Sequence, residues 1–323
     1  MQQDPQIQNT VTQNQPVHPP KKDNSGRWFW GIFLSLLFFG MIIVAISFFA
    51  FASAIKRDGG EFVSGGSGDK IAIVEINDVI VSSEKTVEQI KRFREDKSIK
   101  AIILRVNTPG GGVAASQEIY EEVKKTRDGG KIIVVSMGSI AASGGYYIAV
   151  GSSLIIANPG SLTGSIGVIA QFISIKDLAE KLGISQTTIK SGSLKDAGSP
   201  FKTMNDSDKA YFQDVVDNSF GQFLDVVAKE RKMDKETLLK YANGRVFTGL
   251  QAKEYGLVDS LGTFEDAIRI TGKMAGIEGE PRIVKEKKKF SFFEEVMGSK
   301  IEDVTDIKGK LFDEPILQYK FQP

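Results

Sequence analysis

Cysteine is absent from the 323 residues, and histidine occurs once, at position 18. Without cysteine there can be no disulfide framework, no thiolate nucleophile and no thiolate-ligated zinc or iron–sulfur site. His18 stands in a polar N-terminal stretch, so a nucleophilic serine elsewhere has no imidazole to take its proton. A serine hydrolase built from this chain would need a carboxylate or a neutral lysine as its base. An excess of either charge is also missing, with 41 Lys and Arg against 40 Asp and Glu. The basic domain or stripe that marks nucleic-acid binders is therefore not expected. No internal repeat is evident.

Long apolar runs are confined to one place. Residues 1–27 are rich in Gln, Asn, Pro and Asp and carry too little apolar surface to offset chain entropy, so a disordered tail is expected. Residues 28–51 are then apolar, interrupted only by Gly31, Ser35, Gly40 and Ser47. At about 1.5 Å per residue they make a helix of roughly 36 Å, against a bilayer core of about 30 Å. A transmembrane anchor is expected, in contact with the lipid bilayer. Ala50-Phe51-Ala52 also fits a signal-peptidase site, but the long polar stretch ahead and the length of the run favour an uncleaved span. Lys21, Lys22 and Arg27 precede it and Lys56 and Arg57 follow, which sets the N-terminus in the cytoplasm and the rest outside by charge counting. Residues 52–70, rich in Gly and Ser, read as a flexible linker.

From Ile71 the pattern is that of an α/β domain, ending near residue 285. Strands are expected at Ile71–Ile76, Ala101–Val106, Ile132–Ser136, Leu154–Ile156 and Ile184–Ile189, with helices between them. That alternation calls for a largely parallel sheet. Asp206–Arg231 is expected as a long amphipathic helix with Tyr211, Val215, Phe220, Phe223, Leu224 and Val227 on its apolar stripe. Residues 286–323 read as an extended tail, and its apolar end, Ile316–Phe321, fits a strand lying in a substrate groove.

Four motifs carry chemistry-bearing residues. Ala141-Ala-Ser143-Gly144-Gly-Tyr-Tyr147 follows a buried strand and opens a helix. Ser143 fits two roles there: a helix N-cap, or a nucleophile with the Gly144 amide facing a developing oxyanion. Asn107-Thr-Pro-Gly110-Gly-Gly-Val113 is a glycine-rich turn between strand and helix. It serves as an oxyanion loop, a phosphate loop or a plain turn, and lacks the Walker and dinucleotide fingerprints. Lys190-Ser-Gly-Ser-Leu-Lys195-Asp196 supplies a lysine among small and apolar neighbours. To act as a base, such a lysine must be brought near neutrality by burial, which costs roughly 4 kcal/mol. Gly164-Ser165-Ile-Gly167 offers a further hydroxyl, or an ordinary turn.

In this order and spacing, together with Asn243-Gly-Arg-Val-Phe-Thr-Gly249, the motifs resemble the signal peptide peptidase A family, also called the protease IV family. The resemblance spans about Ile71 to Val284. It implies a Clp-protease/crotonase-like α/β core and a serine endopeptidase that needs no cofactor or metal. It also implies Ser143 as nucleophile, Lys195 as general base, Ser165 as the hydroxyl that positions the lysine, and Gly110 and Gly144 as the oxyanion amides. One serine motif and one lysine motif match the half-length form of the family, which implies a homo-octameric ring with each Ser/Lys dyad shared between neighbours. Its expected substrates are apolar peptides such as cleaved signal peptides. Two other readings remain: a non-enzymatic scaffold of the same fold, and an acyl-CoA enzyme of the crotonase type.

Overall fold

The computed structural model describes residues 25–57, 61–64, 69–286 and 317–321, in two units, Met1–Asp58 and Gly59–Pro323. In the first, α1 (Ser25–Arg57) is one unbroken helix. Its segment Trp28–Phe48 is long and apolar enough to cross a membrane, by length and composition. Residues 1–24 of the expected polar tail lie outside the described residues, and Ser25–Arg27 already belong to the helix.

The second unit is a Clp-protease-like α/β domain. In chain order it runs β1 (Glu61–Ser64), β2 (Lys70–Asn77), α2 (Glu84–Glu95), β3 (Ile99–Thr108), β4 (Gly110–Gly112), α3 (Val113–Asp128) and β5 (Ile132–Ala142). Next come α4 (Gly144–Ala149), β6 (Leu154–Ala157), β7 (Leu162–Gly164), β8 (Ile169–Ala170), α5 (Lys176–Lys181) and α6 (Asp206–Arg231). The order ends with α7 (Lys235–Leu239), β9 (Val246–Thr248), α8 (Gly249–Glu254), β10 (Ser260–Leu261), α9 (Phe264–Met274), β11 (Arg282–Glu286) and β12 (Leu317–Lys320).

The larger sheet has the order β1-β11-β2-β3-β5-β6-β10, with β7 on β5 and β9 on β7. From β11 to β10 its neighbours are parallel, and only β1 on β11 and β9 on β7 are antiparallel. Its central strands are apolar on both faces because both are covered. Ala72, Val74, Ile102 and Leu104 pack with α2, α3, α4 and α6, while Ile71, Ile73, Ala101 and Ile103 pack with α9. Each fully buried Ile or Leu contributes about 1.5–3 kcal/mol. A capping box starts α6: the Asp208 N–H donates to Asn205 Oδ1 at 2.9 Å and the Asn205 N–H donates to Asp208 Oδ2 at 3.2 Å.

Four local expectations change. β5 does not stop at Ser136. Beyond its pairing with β6 at Val134–Ser136 it gains a new neighbour, β7, at Ile140–Ala142, and so runs up to Ser143. The expected linker contains a strand, since Glu61–Ser64 pair with β11. Ile184–Ile189 is not a strand: among the described residues no strand pairs with it, and Ile184 and Ile189 are exposed. The stripe of α6 is narrower than its periodicity suggests, with Phe223, Leu224 and Val227 buried and Tyr211 exposed. Of the C-terminal region, 287–316 lie outside the described residues, and Leu317–Lys320 form a strand of the domain.

Candidate active site

Ser143 sits at the junction of β5 and α4 with φ 52° and ψ −111°, and it is almost wholly buried. A left-handed φ on a residue with a side chain costs about 1–3 kcal/mol and persists only where the surroundings enforce it. Two backbone bonds do so here: the Ser143 N–H donates to the Gly164 carbonyl at 2.8 Å, and the Tyr147 N–H donates to the Ser143 carbonyl at 2.8 Å. The hydroxyl makes no cap hydrogen bond to the helix, which removes the N-cap role left open by the sequence.

Ser165 is held beside it. Pairing of Ala142 with Gly164 brings the ends of β5 and β7 together, and Ser165 follows Gly164 with its own positive φ of 50°. Its N–H donates to the Arg245 carbonyl at 2.8 Å and its Oγ donates to the Gly244 carbonyl at 3.1 Å. The Asn243–Gly249 motif thus supports Ser165 through its backbone.

The glycine loop forms β4, locked by bonds from the Ile80 N–H to the Gly110 carbonyl (2.9 Å) and from the Gly112 N–H to the Ile80 carbonyl (2.8 Å). Gly110 has φ 102°, and its N–H donates to Thr108 Oγ1 at 3.1 Å. A Cβ on Gly110 would collide with the Tyr319 carbonyl, and one on Gly144 would lie 3.2 Å from that same oxygen and 2.5 Å from Ser116 Oγ. Both candidate oxyanion glycines therefore flank one carbonyl, and the close approach requires glycine at each.

That carbonyl belongs to β12, which lies antiparallel between β4 and β8. The Phe321 N–H donates to the Pro109 carbonyl at 2.7 Å. Tyr319 is fully buried: its ring stacks on Tyr147 (5.1 Å), packs against Phe223 (4.6 Å), and its hydroxyl donates to the Ser219 carbonyl at 3.1 Å. Burial raises the pKa of the Tyr319 hydroxyl and pushes that of Tyr147 up to about 12, so both stay protonated and Tyr319 keeps its donor. On the far side of β12, Lys320 and Phe321 line a cavity of about 600 Å³ with Ser165, Asp217, Phe220 and Asn243.

Lys195 stands apart. It is exposed, and among the described residues no hydrogen bond joins its amine to Ser143 or Ser165. Its loop is nevertheless fixed by charge: Asp196 Oδ1 pairs with Lys190 Nζ (2.6 Å) and Lys202 Nζ (3.1 Å), and Lys202 pairs with buried Asp208 (2.8 Å). Hydrogen bonds from Lys190 and then Lys202 hold the Asp196 carboxyl below the usual carboxylate range. Around this loop Ile173, Leu178, Leu182, Ile184 and Ile189 are exposed. The sequence did not single out Tyr147, Phe223 and Ser219 as a pocket, because α4 and α6 meet only in the fold. No group of three or more His, Asp or Glu among the described residues is arranged to hold a metal.

Comparison with known proteins fits this geometry. The profile of peptidase family S49 matches residues 125–278, and that of the Clp proteases matches residues 70–163. A Synechocystis protein described as a protease is 42% identical over 210 residues, covering 65% of this chain and 76% of that one. An Enterococcus faecium protein named for signal peptide peptidase SppA is 35% identical over 265 residues, covering 78% of this chain and 77% of its own. Protease 4 of Salmonella typhi is 37% identical over 221 residues, 66% of this chain but 36% of that longer protein. The chain belongs to peptidase family S49, the family of signal peptide peptidase SppA and protease 4, and is a serine peptidase.

Proposed function

We propose that this peptidase is a membrane-anchored endopeptidase with a Ser143/Lys195 dyad, acting on extended apolar peptides such as cleaved signal peptides. The observation that carries this reading is β12, whose Tyr319 carbonyl lies against Gly110 and Gly144 next to Ser143. A substrate strand in its place would present the carbonyl before its scissile bond to the same two glycines, with the preceding side chain in the Tyr147–Phe223 pocket. β12 then acts as an internal competitor for the groove. The exposed Lys195 fits a dyad completed by the neighbouring subunit, and the apolar surface around its loop fits the contact between copies, with an octameric ring as the expected assembly.

In the reaction, neutral Lys195 Nζ takes the Ser143 hydroxyl proton as Oγ bonds to the peptide carbonyl carbon, with Ser165 orienting the amine. The carbonyl electrons move onto oxygen, which the Gly144 amide stabilises. Gly110 joins it by exchanging its bond to Thr108 Oγ1 for one to the oxyanion. Collapse of this adduct expels the amine, which receives the proton from Lys195. Water, deprotonated by the same lysine, then releases the acyl group. The bilayer span is 28–51, with the N-terminus cytoplasmic and the domain outside.

The decisive experiment is peptide hydrolysis by the full chain, comparing wild type with Ser143→Ala and Lys195→Ala. Each variant should lose turnover by roughly 10⁴-fold or more while keeping its assembly. Undiminished turnover in either variant would refute the dyad, whereas a wild type without turnover would favour the scaffold reading. Coexpressing the two variants should restore partial activity through mixed neighbours, and proven mixing without activity would exclude sharing.

A further inference from the structure

We propose that Glu230, Tyr120 and Arg127 form a latch that sets the aromatic selectivity of the groove without touching the substrate. The three lie outside the reaction centre, and none is used in the steps above. Glu230 is a nearly buried carboxylate near the end of α6 that receives two donors from α3: the Tyr120 hydroxyl at 2.8 Å and the Arg127 guanidinium at 2.7 Å. A buried carboxylate is retained at low cost only when its donors satisfy it, so these bonds fix α3 and α6 against each other at this point. The bolted ring matters because of its neighbour. Tyr120 packs edge-on against Tyr147 at 5.2 Å, and Tyr147 is the ring on which Tyr319 stacks. Phe223, on α6 two turns before Glu230, closes the other side of the same pocket at 5.0 Å from Tyr147 and 4.6 Å from Tyr319. Glu230 therefore ties α6, which carries the Phe223 wall of the slot, to α3, whose Tyr120 ring backs the opposite wall, Tyr147 of α4.

A slot held at ring width discriminates between a flat aromatic side chain and an aliphatic one, because rings stack at set separations and a loosened slot forfeits contact energy steeply. Tyr120 and Glu230 are thus positioning residues for specificity. This rests on the reading that β12 lies where substrate lies.

The test uses the full chain and two peptides that differ only in the residue before the scissile bond, Leu-Gln-Tyr-Lys-Phe and Leu-Gln-Leu-Lys-Phe, with cleavage sites mapped by mass spectrometry. Wild type should prefer the tyrosine peptide. Tyr120→Phe, Glu230→Gln and the double variant should each shrink the Tyr/Leu ratio of kcat/KM by about fivefold, mainly through KM, and the double variant should be no worse than either single one. Because β12 competes equally with both peptides, the ratio does not depend on it. A ratio that stays at the wild-type value, including a uniform loss on both peptides, would overturn the latch while leaving the peptidase reading intact. Failure of wild type to cut after tyrosine would instead remove the substrate reading itself. Should Glu230→Gln fail to fold, Tyr120→Phe, which keeps the ring and the Glu230–Arg127 pair, decides alone.

Discussion

At the scale of single residues, the site is governed by backbone conformations that side chains rarely adopt. Gly110 has no room for a Cβ because the strand beside it runs too close, and its φ of 102° adds strain for any other residue. Gly110→Ala should lower peptide turnover by about 10²–10³-fold with native circular dichroism, the loss expected for an oxyanion donor displaced from its place. Ser165→Ala should cost less, since the amine would lose one orienting hydroxyl and not its proton acceptor. With Lys195 as the proposed base, which is inactive when protonated, kcat/KM should rise through neutral pH toward the alkaline side, and a maximum below about pH 6 would rule out an amine base. The close backbone approach at Gly110 and Gly144 was legible beforehand. The glycine and serine positions could be named because glycine runs after strands signal close approach, whereas the Thr108 bond to Gly110 and the strained φ of Ser143 arise from contacts that only the fold creates.

At the scale of elements, two segments decide how the site is used. β12 lies where the proposed substrate strand would lie, so deletion of residues 317–323 should raise turnover of added peptides several-fold, while exposing Tyr147 and Phe223 and lowering the melting temperature. Unchanged peptide kinetics in that truncation would end the role of β12 as competitor. The Lys190–Asp196–Lys202–Asp208 network holds the loop that carries Lys195. Asp196 and Asp208 both sit below the usual carboxylate range, chiefly because of hydrogen bonds from Lys190 and Lys202 respectively. Their contribution is therefore complete above about pH 4 and is lost as pH falls through the depressed folded values. The loop should become more sensitive to proteolysis in strong acid and stay unchanged between about pH 5 and 9. The helix Asp206–Arg231, opened by a capping box, coincides with its expected limits. Ile184–Ile189 misled because β-branched residues signal burial without saying against what, and among the described residues no strand pairs with them and both isoleucines are exposed.

At the scale of the whole molecule, the described domain leaves apolar surface around 173–194 on the side that bears the proposed base. A ring of copies would cover it, so full-length protein in detergent should run as a single high-order species. Ile189→Asp should shift it toward smaller species and remove activity together with assembly. Dissociation without loss of turnover would show that each chain completes its own dyad. The α/β class and parallel core were readable from alternating strands and helices, and the long α1 helix from one apolar run broken only by glycine and serine. The second, three-stranded sheet was not, since β4 is three glycines and β8 two residues, too short to show any period.

The left-handed φ at Ser143 has one more consequence. Relieving it with glycine and leaving it in place with alanine both delete the hydroxyl, yet only glycine occupies that conformation freely. Ser143→Gly should therefore unfold about 2 °C or more above Ser143→Ala in a thermal melt, with both proteins inert. Such a gap would measure how much rigidity this enzyme forgoes to keep the proposed nucleophilic oxygen where it is.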